Sequence, residues 1–286
     1  MNHRHDDTPT DALPTPGYGF VFWICVAWLV ALALAAAFAD LLPLHDPADI
    51  HAGIPLSVPT STNLLGTDQL GRDLLARTIY GARVSTVVAL AAVLVSSIVG
   101  GTIGLVAGFF RRKVETITLF GADVLMAFPT LLLAASIVAF SDSRGIVTVV
   151  AAIALIYLGP TIRIVRALTM SIANREFVIA ARSLGATNGR IIRREILPNV
   201  LPTVMSMMVI AIAGGVAAEG GLAYLNLSVA PPQPTWGAMI AASKDKLDQS
   251  LYPVLIPGMA LFLTVLSLTL IGDTVQKRQA RNSGAI

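Results

Sequence analysis

Two carboxylates stand inside apolar sequence, Asp123 and Glu219. A charge at the centre of a bilayer costs about 2.5–3.5 kcal/mol on insertion scales, so Asp123 should face the bundle interior, an aqueous cavity or a basic partner near the cytoplasmic end. One reading places them on a translocation path for a solute or cation. The other makes them helix-packing or interface anchors, because both lie near the ends of their apolar segments. A third acid, Asp273, closes the last apolar segment. His3, His5, His45 and His51 fall outside those segments and form no metal-ligand spacing, so no metal is expected. Cys25, alone in the first apolar segment, can form no internal disulfide and reads as a small hydrophobe. The chain contains no G-x-x-x-x-G-K-[ST] phosphate loop, no G-x-S-x-G and no Cys/His pairing. It is therefore expected to be no enzyme, with no catalytic residue and no cofactor of its own.

The elements that must position these residues are membrane helices. Of the 286 residues 55% are hydrophobic and 13% charged, whereas soluble domains carry about 25% charged residues. Lipid is the solvent that tolerates such a surface. The net charge of +3 does not point to nucleic acid, because Lys and Arg sit in short clusters between apolar segments and no aromatics interleave with them. Six apolar segments occur, at about 20–39, 84–109, 119–140, 146–170, 200–222 and 251–275. Each can cross roughly 30 Å of hydrocarbon at about 1.5 Å per residue, and backbone groups in lipid must be bonded within the segment. The chain thus reads as an all-α integral membrane protein with a permease-like domain over 19–275. Residues 1–18 read as a disordered cytoplasmic tail and 276–286 as a cytoplasmic C-terminal tail. The first segment reads as a retained span and not a cleaved signal, since acidic residues precede it and it is long.

Several small-scale features bear on packing. Pro129, Pro160, Pro202 and Pro257 should kink or bound helices. Gly100, Gly104 and Gly108 repeat every four residues, a row that either admits a neighbouring helix closely or is merely tolerated. Gly214, Gly215, Gly220 and Gly221 carry the same ambiguity. Arg163 and Arg166 are expected to anchor the inner end of the fourth span.

Orientation follows from the loop charges. One side holds Arg4, Arg111, Arg112, Lys113, Arg163, Arg166, Arg175, Arg182, Arg190, Arg193, Arg194, Lys277, Arg278 and Arg281; the other holds Arg72, Arg77, Arg83, Arg144, Lys244 and Lys246. Fourteen cations against six place both termini in the cytoplasm.

The cytoplasmic stretch Ser171–Pro202 is the most informative. Glu176–Leu184 reads as a short helix with Asn174 as N-cap and Glu176 in its first turn. Phe177, Ala180, Ala181 and Leu184 share one face at i, i+3, i+4, i+7. Gly185 suits a left-handed stop, a second helix covers about 188–197, and Pro198 and Pro202 bracket entry to the next span. Such an apolar face needs a partner, either its own bundle or a groove on another protein.

Glu176-Phe177-Val178-Ile179-Ala180-Ala181, then Gly185, then Ile196-Leu197-Pro198, resembles the "EAA" loop of binding-protein-dependent ABC-importer permeases. Leu65-Gly66-Thr67-Asp68-Gln69-Leu70-Gly71-Arg72-Asp73 with Tyr80-Gly81-Ala82-Arg83 is similar to the LGTDxLGRD…YGAR segment of the dipeptide, oligopeptide and nickel branch, in its second permease. Pro231-Pro232-Gln233-Pro234-Thr235-Trp236-Gly237 is similar to that branch's PPxPSWG loop, and Gly272-Asp273 to its terminal GD. Two departures stand out: Ala223-Tyr224-Leu225-Asn226 where SFLG is usual, and Thr274–Arg278 where LRDxLDP is usual.

The resemblance implies a type I ABC-importer-permease fold of six spans with a cytoplasmic coupling-helix loop. It implies that Glu176, Phe177, Ala180, Ala181, Leu184, Gly185, Leu197 and Pro198 couple to an ATPase, and that Gly66, Asp68, Gly71, Arg72, Asp73, Pro231, Pro232, Trp236 and Gly237 shape the outer loops. The implied partners are a second homologous permease, two ATP-binding cassette subunits that hold ATP and Mg, an extracytoplasmic binding protein and the bilayer of a bacterial inner membrane. The expected cargo is a dipeptide or oligopeptide. Nickel or another small solute is the alternative, and a stand-alone channel or secondary transporter the more distant one.

Overall fold

The computed structural model describes residues 19–284; the expectation for the 1–18 tail lies outside them. The helices are α1 (Phe20–Ala37), α2 (Leu74–Phe110), α3 (Arg112–Ala127), α4 (Thr130–Ala139), α5 (Ile146–Ala173), α6 (Glu176–Ser183), α7 (Asn188–Ile191), α8 (Leu197–Tyr224), α9 (Trp236–Ser243) and α10 (Tyr252–Gly284). Among the described residues five helices are long and apolar enough to cross a membrane, and α3 with α4 forms a sixth, bent candidate.

The bent pair differs from the single straight segment expected at 119–140. The two halves meet at 82°. Pro129 removes an amide donor and forces the preceding Phe128 into extended geometry (φ −82°, ψ 139°), so the helix must stop there. Pro160, Pro202 and Pro257, by contrast, lie inside continuous helices. Two further boundaries move. Helix α2 begins ten residues before the expected Val84, because Asp73 caps it by accepting the Ala76 amide at 2.8 Å. The last helix runs on past Val275 to Gly284, so the C-terminal segment starts as its continuation.

The central packing is α2 against α5, and the glycine row explains it. A Cβ on Gly104 would sit 2.6 Å from the Ile162 carbonyl, and one on Gly108 would sit 2.6 Å from the Arg166 carbonyl. The two backbones touch where side chains would otherwise hold them apart. Gly215 lets α8 approach Ala89 of α2 in the same way. Around this pair an apolar cluster at one end joins Val88, Val138, Val149, Ile153 and Leu222, drawn from α2, α4, α5 and α8. A second cluster at the other end joins Leu105, Phe109, Val165, Val178, Ile191, Ile196 and Val200. Large apolar side chains remain outside both, including Phe20, Trp23, Ile117, Phe120, Phe140 and Val147, as a lipid-facing surface requires.

Candidate functional site: an uncovered short helix and a loop cap at the opposite end

Helix α6 forms, as expected, directly after α5 and opens with Glu176 in its first turn. Its N-cap is Arg175 and not the expected Asn174. Asn174 instead ends α5, and its Oδ1 accepts a 2.7 Å hydrogen bond from Arg111 Nη2 at the α2–α3 turn. Gly185 ends the segment at φ +82°, a conformation that suits a residue without Cβ.

The helix has two unlike faces. Val178, 1% exposed, plugs into the cluster of Leu105, Phe109, Ile191 and Ile196. One turn on, the Arg182 guanidinium lies 5.7 Å over the Phe109 ring. These i, i+4 contacts fasten α6 to the end of α2. The face singled out by sequence spacing points the other way: Phe177 is 40% and Leu184 88% exposed, Ala180 is exposed and Ala181 half-buried. The apolar i, i+3, i+4, i+7 row is thus left uncovered by the chain's own bundle. Val178 escaped the sequence reading, although its position one residue past Phe177 puts it on the adjacent stripe.

Beyond Gly185 the chain does not form a separate helix followed by a span. From Asn188 to Tyr224 the helix is continuous, with a π-turn at Ile192–Ile196 in which the Leu197 amide bonds the Ile192 carbonyl. In an α-helix Ile191 and Ile196 would lie about 140° apart. The wider turn lets both reach full burial in the same cluster. It also falls just before Pro198, which has no amide hydrogen to donate. Leu197 and Pro198, expected as the closing pair of the loop, are exposed at the base of α8.

Two cross-helix ion pairs stiffen this end. Arg163 of α5 pairs with Asp123 of α3, and Arg166 of α5 pairs with Glu115 of α3. Arg163 and Arg166 therefore anchor α5, and Asp123 finds the basic partner that a carboxylate within apolar sequence demands.

At the opposite end the loops fold into a cap. Asp68 accepts the amides of Leu70 (2.8 Å) and Arg72 (3.0 Å) and the Arg72 Nε at 2.6 Å. Asp73, besides capping α2, accepts from Asn63 Nδ2 at 3.2 Å. Gly66 and Gly71 have φ near +80°, and a Cβ on either would strike a backbone carbonyl. The Gly-Thr-Asp and Gly-Arg-Asp spacing thus builds a tight turn whose carboxylates are spent on the backbone and on arginine. Trp236 is fully buried, its Nε1 donating to the Thr78 carbonyl at 3.0 Å, and Gly237 lies against Gly220 with no room for a side chain. The Pro231–Pro232 bond is cis and lies in the same loop.

Glu219 belongs to this cap. It is fully buried and accepts from Ser85 Oγ at 2.9 Å and Ser228 Oγ at 2.7 Å. It thereby ties α8 to α2 and to the segment that leads into α9. In this conformation it is an internal clasp. Ser85 and Ser228 gave no sequence signal, because a lone serine beside a span has no diagnostic spacing.

The chain is a multi-pass helical bundle with a fastened but uncovered short helix at one end and a structured loop cap at the other, the architecture of a membrane component. Residues 100–282 match the family described as "Binding-protein-dependent transport system inner membrane component", and the chain belongs to that family. It is 34% identical to the di/tripeptide transport system permease protein DppC of Pseudomonas aeruginosa, covering 96% of this chain and 95% of that protein. It is 35% identical to the glutathione transport system permease protein GsiD of Pectobacterium atrosepticum, covering 87% of this chain and 83% of that one. The fold is also similar to a solved structure of the MetNI methionine ABC transporter in an inward-facing conformation, with a TM-score of 0.55 at 13% identity over 71% of this chain and 95% of that chain. The type I importer-permease architecture expected from the sequence is therefore the observed one.

Proposed function

We propose that this chain is one of two pore-forming permease subunits of an ATP-driven importer of dipeptides or short oligopeptides. The observation that carries the reading is α6: a helix clamped through Val178 and Arg182 to the bases of α2 and α8, with Phe177 and Leu184 turned outward. A helix fixed on one side and open on the other is built to be pushed. Docked in a groove of an ATP-binding cassette subunit, it would pass movement to α2, α5 and α8 through packed side chains. ATP and Mg are held by two such subunits, and this chain does no chemistry itself. A second homologous permease completes the pore. A binding protein delivers cargo to the outer loops, including 40–83 and 223–250. The excess of Lys and Arg in one set of loops supports a bacterial inner-membrane protein with both termini in the cytoplasm. The curated names of the two relatives support a peptide cargo over nickel.

The test is reconstitution with a second permease, the ATPases and a binding protein encoded beside this chain. Phe177→Asp with Leu184→Asp should abolish ATPase co-purification while leaving the chain's own melting temperature unchanged. Labelled dipeptide should accumulate in an ATP-dependent manner and labelled nickel should not. Retained co-purification, or ATP-independent transport by this chain alone, refutes the proposal.

A further inference from the structure

The cap encloses a cavity of about 220 Å³ between the start of α2, the α4–α5 loop and the segment after α8. Three arginines, Arg72, Arg77 and Arg144, are among its lining residues, and the 226–233 segment with Asn226 and Ser228 forms another side. The charges do not balance. Among the described residues the carboxylate within ion-pairing distance of these arginines is Asp68 alone, which holds Arg72 Nε at 2.6 Å and Arg77 Nε at 3.4 Å. Arg77 is only 5% exposed. Its Nη1 donates to the Pro47 carbonyl at 2.7 Å, and among the described residues its Nε, though within ion-pairing distance of Asp68, makes no hydrogen bond. Among the described residues the Arg144 side chain has one neutral partner, the Asn226 carbonyl at 3.2 Å from its Nη1.

Arg77 is buried while its one carboxylate, Asp68, is shared with Arg72, so an anion entering the cavity would offset charge that Asp68 alone does not balance. Planar guanidinium groups prefer planar, two-oxygen anions, which they can meet with two parallel hydrogen bonds. A carboxylate fits; a long chain does not fit 220 Å³. We infer that this cavity is a carboxylate-binding site on the outer face, and that it takes the C-terminal carboxylate of a short peptide. The source of the carboxylate rests on the peptide reading above; the anion chemistry rests on the arginines alone.

Arg144 is the residue to change, because it is exposed and its loss breaks one bond to a loop carbonyl. The assembled membrane complex, without its soluble binding protein, is placed in lipid nanodiscs and its retention of radiolabelled dipeptide is measured. The same dipeptide with a C-terminal amide and acetate as competitor form the other arms. The free acid should be retained and displaced by acetate, with the amide bound at least about tenfold more weakly. Arg144→Gln should weaken the acid about tenfold and leave the amide unchanged, and Arg144→Lys should recover part of the loss. Equal binding of acid and amide, or an unchanged Arg144→Gln, overturns the site. Arg144 dependence that appears only when the binding protein is present overturns the peptide-terminus assignment in favour of a protein carboxylate. Uptake of dipeptide by the complete wild-type complex separates the two levels. Import with no acid preference in the nanodiscs defeats the pocket alone. No import defeats the peptide reading, and Arg144-dependent retention of acetate then still supports the carboxylate site.

Discussion

Replacing Gly104 with alanine should separate the two most intimately packed helices of the bundle, while the same change three residues earlier should not. The added methyl at Gly104 would lie 2.6 Å from the Ile162 carbonyl, 3.1 Å from the Arg166 amide nitrogen and 3.1 Å from Val165 Cβ. Ordinary contact begins at 3.4 Å, so α2 and α5 must part by about 0.8 Å at this point. Two of the three obstacles are backbone atoms, which cannot swing aside as a side-chain tip can. Gly101 has nothing within 4 Å of its hypothetical Cβ and serves as the control. Both substitutions gain the same intrinsic helix preference, about 1 kcal/mol. The difference between them isolates the overpacking cost, about 1–3 kcal/mol. At about 2–4 °C per kcal/mol for a chain of this size, Gly104→Ala should melt several degrees below Gly101→Ala in detergent. Gly108→Ala should behave as Gly104→Ala does, since its methyl would meet the Arg166 carbonyl at 2.6 Å and Thr169 Cβ at 2.8 Å. A Gly104→Ala protein as stable as Gly101→Ala would refute close backbone contact as the basis of the α2–α5 interface.

Three further outcomes are expected. Glu219→Ala should destabilise the outer cap by about 2–3 kcal/mol by orphaning the Ser85 and Ser228 hydroxyls, and Glu219→Gln by less, because its amide oxygen still accepts; increased hydrogen exchange at Trp236 and residues 226–235 is the readout. Val178→Ala should loosen α6 and cost about 1.5–3 kcal/mol, whereas Leu184→Ala should leave melting unchanged and weaken only ATPase docking; equal melting losses for both would contradict the two-faced helix. Asp40 carries a carboxyl held below its ordinary 3.8, first by the hydrogen bond from the Tyr80 hydroxyl and then by that from Arg83. A lowered folded value means its stabilisation is complete above pH 3.8 and is lost as pH falls through the folded value. The melting gap between wild type and Asp40→Asn should therefore be constant near neutrality and close only in strong acid.

What the sequence determined by itself was everything that depends on local composition and spacing. The apolar runs had to be helices, since hydrocarbon leaves backbone groups no other partner. The Glu176–Gly185 segment had to be a short helix with a left-handed stop, and its apolar row at Phe177, Ala180, Ala181 and Leu184 was visible as periodicity alone. The tertiary structure decided which stripe of that helix is spent on the fold: Val178 packs inward because Phe109, Ile191 and Ile196 converge from α2, α7 and the π-turn, and nothing within the α6 segment encodes that meeting. It likewise supplied the partners of the carboxylates. Asp123 meets Arg163 forty residues on, and Glu219 meets Ser85 from 134 residues earlier. Such pairs are set by the crossing of helices, whose geometry depends on where glycines let backbones touch. Periodicity shows which face of a helix is apolar; what lies opposite that face is fixed only when the chain has closed on itself.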